Sequence, residues 1–158
     1  MVATKLDAID VKILALVQRN SDLQVADLAQ TVGLSQTACW RRLQRLRESG
    51  VIKGNVSLVD RHQVNAGVTV FVSVRTSTHT EAWFRTFHAI VEAIPEVTEF
   101  YRMSGDVDYL LRVVVPDIAA YDKVYKRLIA GAQLSDVSSS FAMQEIKYTT
   151  ALPLSYIQ

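Results

Sequence analysis

A single cysteine, Cys39, stands in 158 residues. One thiol cannot close an internal disulfide or furnish a multi-cysteine metal site, and a reducing, cytoplasmic setting is the default for such a chain. Long apolar runs are missing too. None approaches the ~20 residues that a membrane-spanning helix needs, so no membrane partner is expected. The start, Met1-Val2-Ala3-Thr4-Lys5-Leu6-Asp7, meets an acid at once and no apolar stretch follows, which is not a secretory leader. There is no Walker loop and no glycine-rich dinucleotide turn. His62, His79 and His88 fall in separate segments without metal-ligand spacing. His88 shares a helical stretch with Glu81, Glu92 and Trp83 and reads as half of a surface pair. Cys39 has no activating partner in view. No polar constellation suited to catalysis converges. The expectation is therefore a non-enzyme, with no catalytic residue, no metal and no cofactor.

What is present is a globular composition, 49% hydrophobic and 21% charged. The net charge of +1 hides a partition. Residues 1–63 carry nine Lys/Arg against six Asp/Glu, and residues 64–158 carry eight against ten. Within 36–53 five bases (Arg41, Arg42, Arg45, Arg47, Lys53) face one acid, Glu48. A local basic stripe is the electrostatic footprint of a nucleic-acid module; on charge alone it is also an ordinary solvated helix face.

Periodicity supplies the frame for that stripe. Leu6, Ile9, Ile13, Leu16 and Val17 recur at three- and four-residue steps and predict a helix over 7–19, with Asp7 as its N-cap. A short helix over 25–32 turns Leu28, Ala29 and Val32 inward. Gly33 closes it by taking positive φ, and Ser35 caps the next. The third helix runs over 36–49, with Gly50 behind it. Cys39, Leu43 and Leu46 form its buried stripe, while Thr37, Arg41, Gln44 and Arg45 lie opposite. Gln36 and Trp40 lie along one margin and Arg42 along the other. Val51-Ile52 and Val56–Val59 read as a short strand or wing, then a connector leads through Gly67.

The remainder changes period. Strands are predicted over 68–74, 97–103, 109–115 and from Val137 to about Tyr148, with helices over 80–94 and 118–129. Pro95 and Pro116 close the elements before them. The order β-α-β-β-α-β is the ferredoxin-like pattern, an antiparallel sheet with helices on one face. The fold class is thus α+β, a three-helix (winged) helix-turn-helix followed by a ferredoxin-like sandwich. The expected partition is 1–53 for the helix-turn-helix, 54–67 for connection and 68–158 for the ferredoxin-like domain. The uncovered sheet face predicts a partner subunit.

Arg41 and Arg45, one turn apart, can reach guanine edges or phosphates, and Gln36 and Gln44 can contact adenine. The Thr37 methyl can meet a thymine methyl, and the backbone amides near Ser35 point at a phosphate. Arg42 either braces the fold or touches phosphate. Trp40 either packs on the first helix or meets the sugar-phosphate backbone. Cys39 is core.

Leu6-Asp7-x-x-Asp10-x-x-Ile13-Leu14, Asp27-Leu28-Ala29, Val32-Gly33-Leu34-Ser35 and Arg42-x-x-x-Leu46-x-x-x-Gly50-Val51-Ile52 stand in one order along the chain. Pro95-Glu96-Val97 and Gly105-Asp106-x-Asp108-Tyr109-Leu110-Leu111 continue it. This series resembles the Lrp/AsnC family of transcription regulators over essentially its whole length. The tail Ser139–Met143 with Ile146–Thr150 is most similar to the branch that holds a cysteine-responsive regulator of cysteine detoxification. Branches sensing glutamate, proline or branched-chain amino acids share parts of that tail. The resemblance implies dimers formed through the sheet, which often assemble into octamers with amino-acid sites between dimers, and palindromic double-stranded DNA as partner. Its effector loop falls on Met103, Ser104, Gly105, Asp106, Val107, Asp108 and Tyr109. There Gly105 allows close backbone approach, and Asp106 or Asp108 can pair with an α-ammonium. Ser138, Ser139 and Ser140 can add hydroxyls. Gly-Asp-x-Asp is also ordinary hairpin chemistry, so Asp108 and Tyr109 serve either the ligand or the fold. The competing reading is a stand-alone amino-acid-sensing regulatory subunit that docks on a protein.

Overall fold

The computed structural model describes residues 5–157; the part of the reading of the start that falls on Met1–Thr4 lies outside that range. The chain forms two compact units. One holds the residues up to Ser57 together with the segment from Lys147 onward, and the other spans Leu58–Ile146. The C-terminal segment thus groups with the helical unit, whereas the expected partition places it in 68–158.

The first unit contains α1 (Ala8–Val17), α2 (Val25–Val32) and α3 (Gln36–Glu48). Asp7 caps α1 through a reciprocal capping box with Asp10: Asp7 accepts from the amides of Ile9 and Asp10, and Asp10 accepts from the amide of Asp7. Ile13, Leu14, Leu28, Ala29, Val32, Cys39, Leu43 and Leu46 make the core. Leu154 packs against it, and the Gln18 side chain clasps the Leu152 backbone, donating to its carbonyl at 3.0 Å and accepting from its amide at 2.9 Å. After α3 the chain forms no strand over 53–60. Of the short strand or wing expected over Val51–Ile52 and Val56–Val59, no strand forms. Val51 and Ile52 lean on the core, while Val56, Leu58 and Val59 stand exposed. A strand needs a neighbour to pair with, and alternation of apolar residues cannot supply one.

The second unit is a four-stranded antiparallel sheet of β1 (Val68–Arg75), β2 (Val97–Arg102), β3 (Tyr109–Val115) and β4 (Asp136–Phe141) in the order β2-β3-β1-β4. Helices α4 (Glu81–Glu92) and α5 (Ile118–Ala130) follow β1 and β3. This is the expected split βαβ arrangement. Val70, Val72, Val74, Leu111, Val113 and Val115 meet Trp83, Phe87, Val91, Tyr121, Val124 and Leu128 in one core. Tyr109 joins it among Trp83, Phe87 and Phe100, with ring centroids 5.5–5.7 Å away. The expected long last strand is shorter. Phe141 pairs with Val70, and the Ala142 amide still donates to the Thr69 carbonyl. Beyond that β1 has ended, and β4, an edge strand, has no other neighbour within its unit.

Candidate functional site

Gly33 adopts φ +75 at the end of α2, and the Leu34 amide donates to the Ala29 carbonyl at 2.9 Å. That left-handed residue turns the chain within two positions. Ser35 then opens α3 by accepting from the Ala38 amide, and Gly50, at φ +73, lets the chain leave it. With Cys39, Leu43 and Leu46 inward, Ser35, Gln36, Thr37, Trp40 and Arg41 are exposed and Gln44 is half-buried. Trp40, read as a marginal residue, keeps 51% of its surface. Arg41 forms no ion pair with any described residue, so its guanidinium is available to an outside anion.

Arg42 and Arg45 are placed differently. Both reach back to α1, where the Asp10 side chain has no exposed surface. Arg42 donates to Asp10 at 2.9 Å and to Asp7 at 2.6 Å, and Arg45 donates to the other Asp10 oxygen. Arg45, expected beside Arg41 on the outward face, is thus anchored to α1, although half of its side chain remains exposed. Arg42 takes the bracing role. The Asp10 amide, followed by the Arg42 guanidinium, holds the Asp7 carboxyl down to about 2, and the bonds of Arg42 to the Asp7 and Asp10 side chains push Arg42 up. Burial raises the Cys39 thiol, against a smaller opposing pull from Arg42, which suits an inert core position. The reading of α3 alone misses Asp10. Its signal is a carboxylate in register with Ile13 and Leu14, on the buried side of an amphipathic helix.

In the second unit the hairpin between β2 and β3 carries the expected effector loop. The Met103 amide donates to the Asp108 carbonyl at 2.8 Å, which closes it. Gly105 has φ +118, and Met103, Ser104 and Asp106 are exposed. The two acids diverge. Asp108 accepts from the Thr76 amide at 2.8 Å and its own amide donates to the Val74 carbonyl, so it ties the loop to β1. Asp106 has no polar partner among the described residues. Tyr109 is buried in the aromatic core and its ring serves the fold.

The three serines also separate. Ser139 faces the helices and shares a hydrogen bond with the Tyr121 hydroxyl; burial, only partly offset by that bond, raises Tyr121. Ser138 and Ser140 pair with Ser73 and Phe71 on the open face and are exposed. Ser138 lies nearest the sheet end that bears the loop. A shallow cavity of about 310 Å³ between α5 and the start of β4 is lined by Tyr125, Ile129, Leu134, Ser135 and Asp136, among others. None of the sequence-named residues contributes to it. Among the described residues no group of three His, Cys, Asp or Glu could hold a metal ion, and no helix is long and apolar enough to cross a membrane.

Residues 6–53 match a winged helix-turn-helix DNA-binding family, and residues 69–152 match the Lrp/AsnC ligand binding domain. The chain belongs to the Lrp/AsnC family. Its relatives in that family include the glutamate uptake regulatory protein of Zymomonas mobilis, 47% identical over 150 residues, covering 95% of this chain and 92% of the relative. The DNA-binding transcriptional activator DecR of Escherichia coli is also 47% identical, covering 94% and 99%. Similar solved structures include an AsnC family transcriptional regulator from Agrobacterium tumefaciens, with TM-score 0.93 and 60% identity over 97% of this chain and 100% of that one. A transcriptional regulator from Neisseria meningitidis in complex with L-Met has TM-score 0.91 and 34% identity over 97% and 99%. This Lrp/AsnC chain is accordingly a DNA-binding transcription regulator with a C-terminal amino-acid-binding domain, and its named relatives are regulators of the same kind.

Proposed function

We propose that this regulator recognises a palindromic operator through the outward strip of α3 and that an amino acid, with cysteine as first candidate, tunes its affinity by shifting its assembly. The observation that carries the reading is Arg41, a guanidinium without an acid partner among the described residues, in the middle of an exposed basic helix face that follows a glycine turn. Arg41 reads a base edge or phosphate in the groove. Gln36, Thr37, Trp40 and Gln44 flank it, and Ser35 presents the helix N-terminus to the backbone. Arg42 and Arg45 hold the helix on α1, with Arg45 adding positive potential at the rim.

The effector reading places the ligand at Met103–Asp106 with Ser138 and Ser140, Asp106 pairing with its α-ammonium. Cysteine follows from the tail; the glutamate in one relative's name and the L-Met in one similar structure make those two the comparison ligands. Homodimers formed by the open sheet face, and octamers built from them, supply the two-fold symmetry that a palindrome needs. The protein acts in the cytoplasm in this reading.

Arg41→Ala tests the first half. Fluorescence anisotropy on an operator selected from random duplexes should show affinity lowered roughly 10–100-fold, as for loss of one base-reading arginine, with the thermal midpoint unchanged. Unaltered affinity and preference would remove the face from the interface. For the second half, a thermal-shift panel of amino acids should raise the melting temperature for the effector alone, and Asp106→Ala should abolish that rise while staying folded.

A further inference from the structure

Among the described residues of the three helices, Trp40 is the one large apolar side chain left exposed. Its exposure has no internal cause. Cys39, Leu43 and Leu46 already fill the seam of α3, and among the described residues nothing accepts a hydrogen bond from the indole N–H. The ring stands in the second turn of α3, between Thr37 one turn before and Gln44 one turn after, beside Arg41. On the same helix stand Arg41, Arg45 and Arg47 against Glu48, and since Arg45 is already paired with Asp10 the charge left open beside the ring is that of Arg41. A partner for this patch must therefore be anionic and yet offer an apolar group to an indole. On base edges in the major groove that group is the C5-methyl of thymine.

We infer that Trp40 is a specificity-determining residue that packs its indole on a thymine methyl in each half-site. The inference rests on the proposed operator reading and adds a stated base and a stated group to it.

The test uses the full-length protein. An operator is selected from random duplexes, and each thymine is replaced in turn by deoxyuridine, which removes only the methyl. Wild-type protein should lose affinity about fourfold at one thymine per half-site, the worth of one buried methyl. Trp40→Ala should bind the thymine and uracil duplexes equally and relax its selected sequence at that position. Trp40→Phe should restore part of the difference. The inference is overturned if no single thymine is methyl-sensitive in the wild type. It is also overturned if Trp40→Ala keeps the wild-type ratio between the two duplexes, since the ring then touches only sugar and phosphate. A wild-type protein that selects no sequence, and binds DNA only through salt-sensitive contacts, would remove the operator reading as well.

Discussion

At the scale of single residues, α3 divides its arginines by partner. Arg41 points to solvent, while Arg42 and Arg45 are committed to Asp10. The sequence shows four arginines within one helix and no means of ranking them, because helical spacing places Arg41 and Arg45 on one side. What separates them is an acid thirty residues earlier, buried where its charge must be compensated. Asp10→Ala is expected to cost about 2 kcal/mol, less than a fully buried pair because both arginines can turn to water. Denaturant titration reads that loss, and DNA affinity should fall with it as α3 loses its anchor. Asp7 gives a separate expectation in acid. Its folded value lies at about 2, below the ordinary 3.8, because the Asp10 amide and Arg42 favour the charged form. A depressed carboxyl stabilises the fold above its unfolded value, and that contribution disappears as pH falls from about 4 through about 2. In the intact protein, amide signals from α1–α3 should show a steeper acid loss in wild type than in Asp7→Asn. Equal profiles would mean that the cap carries no charge-dependent stability.

Secondary elements were legible wherever they close within the chain. Helix α2 and strand β3 have the residues the sequence predicts, because Gly33 and Pro116 mark their ends. Two elements diverge for a shared reason. The segment at Val56–Val59 and the stretch after Phe141 both have strand-like composition, but a strand is defined by a neighbour, and neither pairs with one. The serines proposed for the effector illustrate a finer limit. Ser138, Ser139 and Ser140 are indistinguishable as letters, and only the pairing of Ser139 with Val72, a core residue, assigns it to the helix side. Ser139→Ala should therefore cost about 1–2 kcal/mol by leaving the Tyr121 hydroxyl without a partner. Ser138→Ala should change stability by no more than about 0.5 kcal/mol and weaken the effector response. Urea melts and amino-acid titrations of the two variants separate these outcomes; the reverse pattern would place the ligand among the helices.

For the whole molecule, the sheet presents a consequence that no single residue carries. Its open face aligns Phe71 and Tyr101, both exposed, with Leu110 and Val114, around the Arg112–Glu99 ion pair at 2.9 Å. An apolar strip centred on one ion pair is self-complementary under a two-fold axis: the rings can cross while each ion pair stays satisfied within its own protomer. A second copy is the occupant that the proposed palindrome also requires. Phe71→Glu puts a carboxylate at the centre of that strip, directly opposite Arg112 in the register and clear of the helix-facing core. The protomer should therefore stay folded, with an unchanged far-ultraviolet spectrum. Two such carboxylates brought together across the axis repel, and sedimentation should show monomers at concentrations where wild type is dimeric or larger. Operator affinity should fall steeply in the same variant, because one protomer keeps a single half-site of contacts, while binding to an isolated half-site should match the wild-type protomer. Dimers of undiminished stability in Phe71→Glu would mean that assembly uses another surface, and the sheet's exposed rings would then need a different explanation.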